Sequence, residues 1–206
     1  MKGLILKDLF NLKTQFRFYL FFILIFALMS FTGMDMNTLG GVIAFVCAML
    51  PITALGLDEK NNWDKYALTL PVVRKDLVLS KYTLGLICTV AGSIISFILM
   101  GIRNGFSQTT LYIALVFFAI SLFYLSLLLP LMFKLGIEKG RIIMILIAFL
   151  PAVVISFLAS RFSGVFSNEQ FTSMLPFLPI IAVGLILICL FVSISISMRI
   201  YKKKEF

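Results

Sequence analysis

Six long apolar runs divide this sequence. They lie near residues 16–33, 38–57, 82–102, 110–133, 142–160 and 177–198. Each approaches or exceeds the ~20 residues that a helix needs to cross the ~30 Å hydrocarbon core of a bilayer. Lipid offers backbone N–H and C=O groups no hydrogen-bond partner, so a spanning chain folds as helices or as a closed barrel. The runs lack the two-residue alternation of a barrel strand. We therefore predict an all-α membrane protein with six transmembrane helices in a single domain, residues 1–206.

The basic residues indicate how these helices are oriented. Residues 1–17, 58–81, 134–141 and 199–206 carry 16 of the 18 Lys and Arg, whereas the alternate connections carry only Arg103 and Arg161. Lys and Arg concentrate in the cytoplasmic loops of membrane proteins. We therefore expect a multi-pass protein with both termini in the cytoplasm. The net charge of +9 is explained by this topology, and we expect no nucleic-acid partner.

Two segments outside the spans have amphipathic character. Residues 1–17 have apolar side chains on one side of a helix (Ile5, Leu9, Leu12 and Phe16) and polar ones on the other (Lys7, Asp8, Asn11, Thr14 and Gln15). This pattern is typical of a helix in the membrane interface, the alternative being an unstructured basic leader. Residues 160–176 mix Phe, Met and Leu with polar residues. They favour a re-entrant or interfacial pair before the last span, or else a loop that rests on the headgroups.

The spans contain few groups that could do chemistry. None of the 27 charged side chains falls near the middle of an apolar run, and the sequence has no His. Proton- and ion-coupled transporters usually place an ionisable group there. The three Cys lie in apolar runs without a CxxC pair, so we expect no metal site. We expect no enzymatic activity on this chain.

Small residues recur at four-residue spacing in the second and third runs. Gly40, Ala44 and Ala48 share one helix face, and Gly85, Thr89 and Ser93 share another. Such faces let helix backbones approach closely. They indicate either packing within the bundle or an interface between subunits, and the sequence leaves both open.

The longest polar interval, residues 58–81, separates the second and third runs. It holds five basic and four acidic residues and the only Trp, Trp63. A helix is predicted to begin around Pro71, a residue favoured in a first helical turn, and Trp63 and Tyr66 precede it. One face of this helix would carry Leu70, Val73, Leu77 and Leu84. The residues with which such a segment would dock on a cytosolic partner are Trp63, Tyr66, Leu70, Pro71, Val73, Arg74, Lys75 and Leu77. The alternative is a connector that rests on the membrane surface.

The opening MKGLILKDLF and the stretch WDKYALTLPVVRKDLVLSKY, together with six spans, resemble the ABC-2 type permeases of bacterial ATP-binding-cassette (ABC) exporters. Within this family the chain is similar to the small Gram-positive permeases that include those of the phenol-soluble modulin exporters. The resemblance covers essentially the whole chain, and residues 63–82 are its most specific part.

This resemblance implies a permease subunit in a bacterial cell membrane, working as a homo- or heterodimer of permeases with a cytosolic ATPase. Residues 58–81 would then be a coupling loop whose coupling helix, near residues 70–81, sits in the ATPase cleft. ATP and Mg would bind the ATPase, because this sequence has no GxxxxGK[ST] loop. The expected substrate is amphipathic or hydrophobic: a peptide, toxin or drug. The alternative function is a membrane-embedded substrate-binding subunit of an ATP-driven uptake system.

Overall fold

The computed structural model describes residues 2–31, 36–67, 69–70, 73–136, 140, 146–147 and 178–203, and the described residues include no β-strand. Six helices have both ends within these ranges. They are α1 (Lys2–Phe31), α2 (Met36–Lys60), α3 (Trp63–Ala67), α4 (Arg74–Asn104), α5 (Gln108–Leu135) and α6 (Leu178–Lys203). The predicted all-α membrane architecture is confirmed for this part of the chain.

Four of these helices are long and apolar enough to cross a membrane: α2, α4, α5 and α6. α1 adds a fifth if its two arms, Gly3–Lys13 and Arg17–Leu28, form one span, because they meet at a bend of 59°. The predicted span at 142–160 and the predicted re-entrant segment at 160–176 lie outside the described residues, apart from Leu146 and Ile147. The count of six spans therefore stays a prediction.

α4 begins earlier than its apolar run. It starts at Arg74, directly after an extended Val73 (φ −82°, ψ 142°), and continues without a break to Asn104. No Gly or Pro separates residues 74–81 from the run that follows, and Leu77, Val78, Ser80 and Lys81 are buried against the bundle. Among the described residues, 74–81 therefore belong to α4 and form no helix of their own. The separate short helix is α3, and residues 74–81 are the first turns of α4.

The first arm of α1 turns its charged side toward the bundle. Asp8 and Leu12 are buried, and Ile5 packs beside Leu12 against Ala54 and Leu84. The outward residues are Leu6, Leu9 and Phe10, which are 57%, 46% and 63% exposed. The predicted faces are therefore wrong in part, since Ile5 and Leu12 lie on the buried side with Asp8. Lys81 of α4, whose Nζ lies 2.7 Å from Asp8 Oδ2, holds Asp8 inward.

α2 and α4 approach each other closely along glycines. A Cβ atom at Gly40 would lie 2.5 Å from Met100 Sδ, and one at Gly92 would lie 2.5 Å from Cys47 Cβ. Ala44 and Ala48 are each 1% exposed, and a Cβ at Gly85 would collide with Leu125 of α5. Of the two alternatives for the small-residue faces, the structure therefore shows packing within the bundle.

The bundle has one strongly basic end. The first arm of α1, the end of α2, α3, the start of α4 and the ends of α5 and α6 meet there. Arg103 lies at the opposite end, where Asn104 Nδ2 donates to Asn37 Oδ1 over 3.1 Å and Gly105 (φ +81°) starts the turn into α5. The basic residues that the structure describes are therefore separated as the sequence predicts, and we call the first of these two ends the basic end.

Replacing Gly92 with Leu should push α2 and α4 apart, because the larger side chain meets Cys47 and the α2 backbone. Overpacking of this kind costs about 1–3 kcal/mol. Thermal unfolding of the purified chain in detergent micelles, followed by circular dichroism, measures the loss. Gly184→Leu is the control, since a Cβ at Gly184 meets nothing within 4 Å. Equal melting temperatures for the two variants would contradict this packing.

Candidate functional site

Four charged side chains form a closed ring at the basic end. Lys7 Nζ lies 3.1 Å from Asp8 Oδ1 and 2.6 Å from Asp58 Oδ1. Lys81 Nζ lies 2.7 Å from Asp8 Oδ2 and 2.5 Å from Asp58 Oδ2. Each ammonium group thus contacts both carboxylates through different oxygens. We call these four residues the ionic ring.

The ionic ring is buried and electrically balanced. The side chains of Asp8, Asp58 and Lys81 are 1%, 4% and 6% exposed, and that of Lys7 is 22% exposed. An isolated charge taken out of water costs several kcal/mol, and the cost is offset only by well-placed opposite charges. Two positive and two negative groups sum to zero here. Removal of any single member would leave a buried charge uncompensated.

The residues of the ring come from three helices, and each lies near the end of its helix at the basic end of the bundle. Lys7 and Asp8 are consecutive residues in α1, Asp58 precedes the end of α2 at Lys60, and Lys81 lies about two turns into α4. Because each ammonium group reaches two helices, the ring fixes the first arm of α1 against α2 and α4.

Trp63 connects the ring to the loop that follows α2. Lys7 Nζ lies 4.2 Å from the centroid of the Trp63 ring, within the range of a cation–π interaction. The Trp63 and Tyr66 rings lie 5.5 Å apart within α3, and Ala67 is fully buried in the main core cluster. The aromatic pair is therefore divided: Trp63 packs inward and Tyr66 is 59% exposed.

Of the eight residues predicted to face a partner, the structure describes seven. Tyr66, Leu70, Val73 and Lys75 are exposed, with Val73 at 60% and Leu70 at 38%. Trp63, Arg74 and Leu77 are engaged within the chain, and Pro71 lies outside the described residues. We call the four exposed residues the outward set.

Arg74 joins the start of α4 to the end of α6. Its Nη1 donates to the carbonyl oxygens of Lys202, at 3.0 Å, and Tyr201, at 3.5 Å. A guanidinium at a helix C-terminus satisfies carbonyls that lack partners within the helix and interacts favourably with the helix dipole. Tyr201 is itself buried, with its ring edge-on to Phe133 of α5 at 5.6 Å. Arg74 therefore positions the loop against α6, and its side chain is only partly exposed.

The space around the ring is too small for a substrate. The cavity there, bordered by Trp63, Tyr201 and the ring, has a volume of about 10 Å³, which is room for about one water molecule. In the part of the chain that the structure describes, no three His, Cys, Asp or Glu side chains are grouped to hold a metal ion. The arrangement provides contact and positioning.

A second polar network lies between α4, α5 and α6. The Tyr82 hydroxyl is 2.6 Å from Ser193 Oγ and 2.8 Å from Ser197 Oγ, and Ser193 Oγ donates to the Ser126 carbonyl oxygen over 2.5 Å. All of these side chains are buried. Hydroxyl groups that bond across helices in this way join three helices without a buried charge.

Neither network was predicted from the sequence. Lys7 and Asp8 were expected on the polar face of an interfacial helix, and Asp58 and Lys81 at the ends of a polar interval. One signal was available, since two Lys and two Asp occur at the predicted ends of three helices that share one side of the membrane. The serines of α6 at four-residue spacing were a weaker signal.

The fold is thus a polytopic helical bundle that presents a short loop at its basic end and fixes this loop with buried ion pairs and an arginine cap. The sequence model of the family described as "ABC-2 family transporter protein" matches residues 3–202. The chain therefore belongs to this family of ABC transporter membrane proteins, which confirms the family resemblance. Likeness to the phenol-soluble modulin exporters stays a prediction. No curated protein and no solved structure matches the chain.

Replacing Lys81 with Met should destabilise the bundle by about 3–5 kcal/mol, because it leaves the ring with an unbalanced buried carboxylate. The double variant Asp58→Asn/Lys81→Met restores neutrality and keeps Lys7 beside Asp8, so we expect it to be more stable than Lys81→Met alone. Thermal unfolding in micelles gives the ranking. Lys75→Met, an exposed lysine on the same helix, is the control and should leave the melting temperature unchanged. If the double variant has a lower melting temperature than Lys81→Met, charge balance is not what stabilises the ring.

Proposed function

We propose that this chain is the transmembrane permease subunit of an ABC exporter in a bacterial cell membrane. It would work with a second permease subunit, and a cytosolic ATPase on a separate chain would bind ATP and Mg. The observation that carries the proposal is the family match over residues 3–202. The fold supports it, because an exposed loop at the basic end is held in a fixed position on the bundle.

The outward set is the proposed contact with the ATPase. Tyr66, Leu70 and Val73 expose apolar surface within one short loop, and Lys75 adds a cation beside them. The concentration of Lys and Arg at this end favours a location in the cytoplasm, the compartment of the ATPase. Aromatic and apolar side chains that enter a groove carry much of the binding energy in protein interfaces. The geometry thus favours the docking alternative for residues 58–81 over a passive connector.

A displacement of this loop would reach the spans through continuous structure. α4 runs 31 residues from Arg74, about 46 Å at 1.5 Å per residue, so it extends beyond a ~30 Å hydrocarbon core. In the proposed cycle, ATP binding closes two ATPase subunits and moves the two coupling loops together. Each α4 then moves as a rigid body, and the transporter changes from an inward-open to an outward-open arrangement of its spans.

The proposed substrate is an amphipathic or hydrophobic molecule, such as a peptide, toxin or drug. The spans carry no charged side chain near their centres, so a path between two permeases would be largely apolar. Such a path suits these molecules better than ions or sugars. A substrate-binding subunit of an uptake system would instead reach its ATPase through a separate scaffold, and it would retain a small molecule on purification. The family match favours the permease.

Replacing Tyr66 with Ala and Val73 with Ser together should lower the amount of ATPase that co-purifies with the tagged chain by about tenfold or more, since such a loss equals about 1.4 kcal/mol of contact energy. The ATPase is identified by mass spectrometry and by its GxxxxGK[ST] loop. ATP-dependent transport in vesicles should fall in parallel, while the melting temperature stays near that of the unmodified chain.

Ile102→Ala is the matched control, because Ile102 is an apolar residue 71% exposed near the opposite end of the bundle. It should retain full ATPase binding. Unchanged ATPase recovery with Tyr66→Ala/Val73→Ser would reject the outward set as the coupling surface. Purification with a retained small molecule and no ATPase would reject the permease assignment.

A further inference from the structure

We propose that the ionic ring is a releasable latch, which docks the first arm of α1 on the α2–α4 pair and lets the arm separate without exposing an unpaired charge. This inference rests on the proposed function for its role in the transport cycle, because it assigns the latch to the coupling loop. Its structural part concerns only this chain and can be tested without an ATPase.

The connectivity of the ring is what makes release feasible. Two contacts cross between α1 and the rest: Lys7 to Asp58 at 2.6 Å and Lys81 to Asp8 at 2.7 Å. Of the other two, Lys7–Asp8 lies within α1, and Asp58–Lys81 joins α2 to α4 at 2.5 Å. When the arm separates, the ring divides into two pairs that are each neutral. An ordinary buried pair would instead leave one uncompensated charge on each side.

The packing around the ring makes α1 the movable part. α2 and α4 interlock at Gly40 and Gly92, where their side chains and backbones leave no room for a Cβ atom. The first arm of α1 ends at a bend of 59° and contacts the bundle along a single side. Its opposite side carries Leu6, Leu9 and Phe10, which lipid can cover whether the arm is docked or released. Separation therefore costs mainly the two crossing ion pairs and the packing of a few side chains.

Two residues of the ring lie on either side of the coupling loop in the sequence. Asp58 lies five residues before Trp63, at the end of α2, and Lys81 lies about two turns after Arg74 in α4. Lys7 also contacts the Trp63 ring at 4.2 Å. A movement of the loop thus acts on Asp58, Lys81 and Trp63, which are the residues that hold α1. The geometry points to release of the arm as the response of α1 to movement of the loop.

A charge exchange within the α2–α4 pair separates this latch from simple structural support. Asp58→Lys/Lys81→Asp keeps an ion pair between α2 and α4 but places like charges opposite Lys7 and Asp8. Adding Lys7→Asp/Asp8→Lys restores opposite charges across the whole ring.

The distance between spin labels at Leu6 and Lys60 reports the position of the arm, and the distance between labels at Lys60 and Lys75 reports α2–α4 packing. Both pairs are placed in a chain whose Cys47, Cys88 and Cys189 are replaced by Ala, in lipid nanodiscs without ATPase or nucleotide.

If the ring is a latch, we expect the native ring to give one narrow distribution of distances between the labels at Leu6 and Lys60. The twofold exchange should give a broader, longer distribution, and the fourfold exchange should return it to the native distance. The Lys60–Lys75 distance should stay constant in all three. An unshifted arm in the twofold exchange, or a fourfold exchange that stays broad, would overturn the proposal.

A second variant keeps the test decisive if the exchanged chain fails to fold. Lys7→Gln/Asp8→Asn removes the α1 half of the ring and leaves the neutral Asp58–Lys81 pair. It should release the arm yet unfold at a higher temperature than Asp8→Asn alone, which leaves unbalanced charge. A docked arm in Lys7→Gln/Asp8→Asn, or the reverse order of stability, would overturn the latch. If no ATPase co-purifies with the chain while the spin-label distances follow the latch prediction, the proposed function is rejected and the latch is not.

Discussion

A membrane bundle can bury ionised side chains only where opposite charges balance them, and the basic end of this protein depends on that constraint. Asp8, Asp58 and Lys81 are almost fully buried, and each contacts two partners of opposite sign. All four contacts that offset their desolvation exist together only when α1 is docked against α2 and α4. The ring therefore determines how these three helix ends are arranged, and the loop between α2 and α4 takes its position from them.

The rest of the structure divides into a rigid part and a peripheral part. Glycine contacts bring α2 and α4 together, and Leu125 of α5 fills the space beside Gly85. This close packing makes α4 suited to carry a displacement from the loop into the spans. The first arm of α1 has no comparable glycine contact, since nothing lies within 4 Å of a Cβ at Gly3. Its docking relies on ion pairs and on a few apolar side chains such as Leu12.

Much of the fold followed from the sequence, because the requirement to satisfy the backbone in lipid makes long apolar runs helical. The spans of α2, α4 and α5 are where the runs predicted them, and the segregation of Lys and Arg anticipated which helix ends meet. The start of α4 was not predictable from hydropathy. Residues 74–81 are polar in sequence, yet they continue the helix because Leu77 and Val78 pack inward and Lys81 finds two carboxylates.

The candidate site was predicted only in part, for a related reason. Helical periodicity grouped Leu70 and Val73, which are exposed, with Leu77, which is buried. It also cannot tell that Trp63 and Arg74 have partners within the chain. Those partners, Lys7 and the end of α6, are more than 50 and 120 residues away in sequence. Charge partners that distant become visible only when the helices are placed side by side.

Two consecutive residues of α4 show how the polar contacts are distributed. Lys81 reaches α1 and α2 through the ionic ring, while the Tyr82 hydroxyl reaches Ser193 and Ser197 of α6. Successive side chains on a helix differ in direction by about 100°, so one turn of α4 can serve both networks. Ser193 extends the second network to the α5 backbone at Ser126. A displacement carried along α4 from Val73 would therefore act on the other four long helices of the described chain at a single level, close to the loop between α2 and α4.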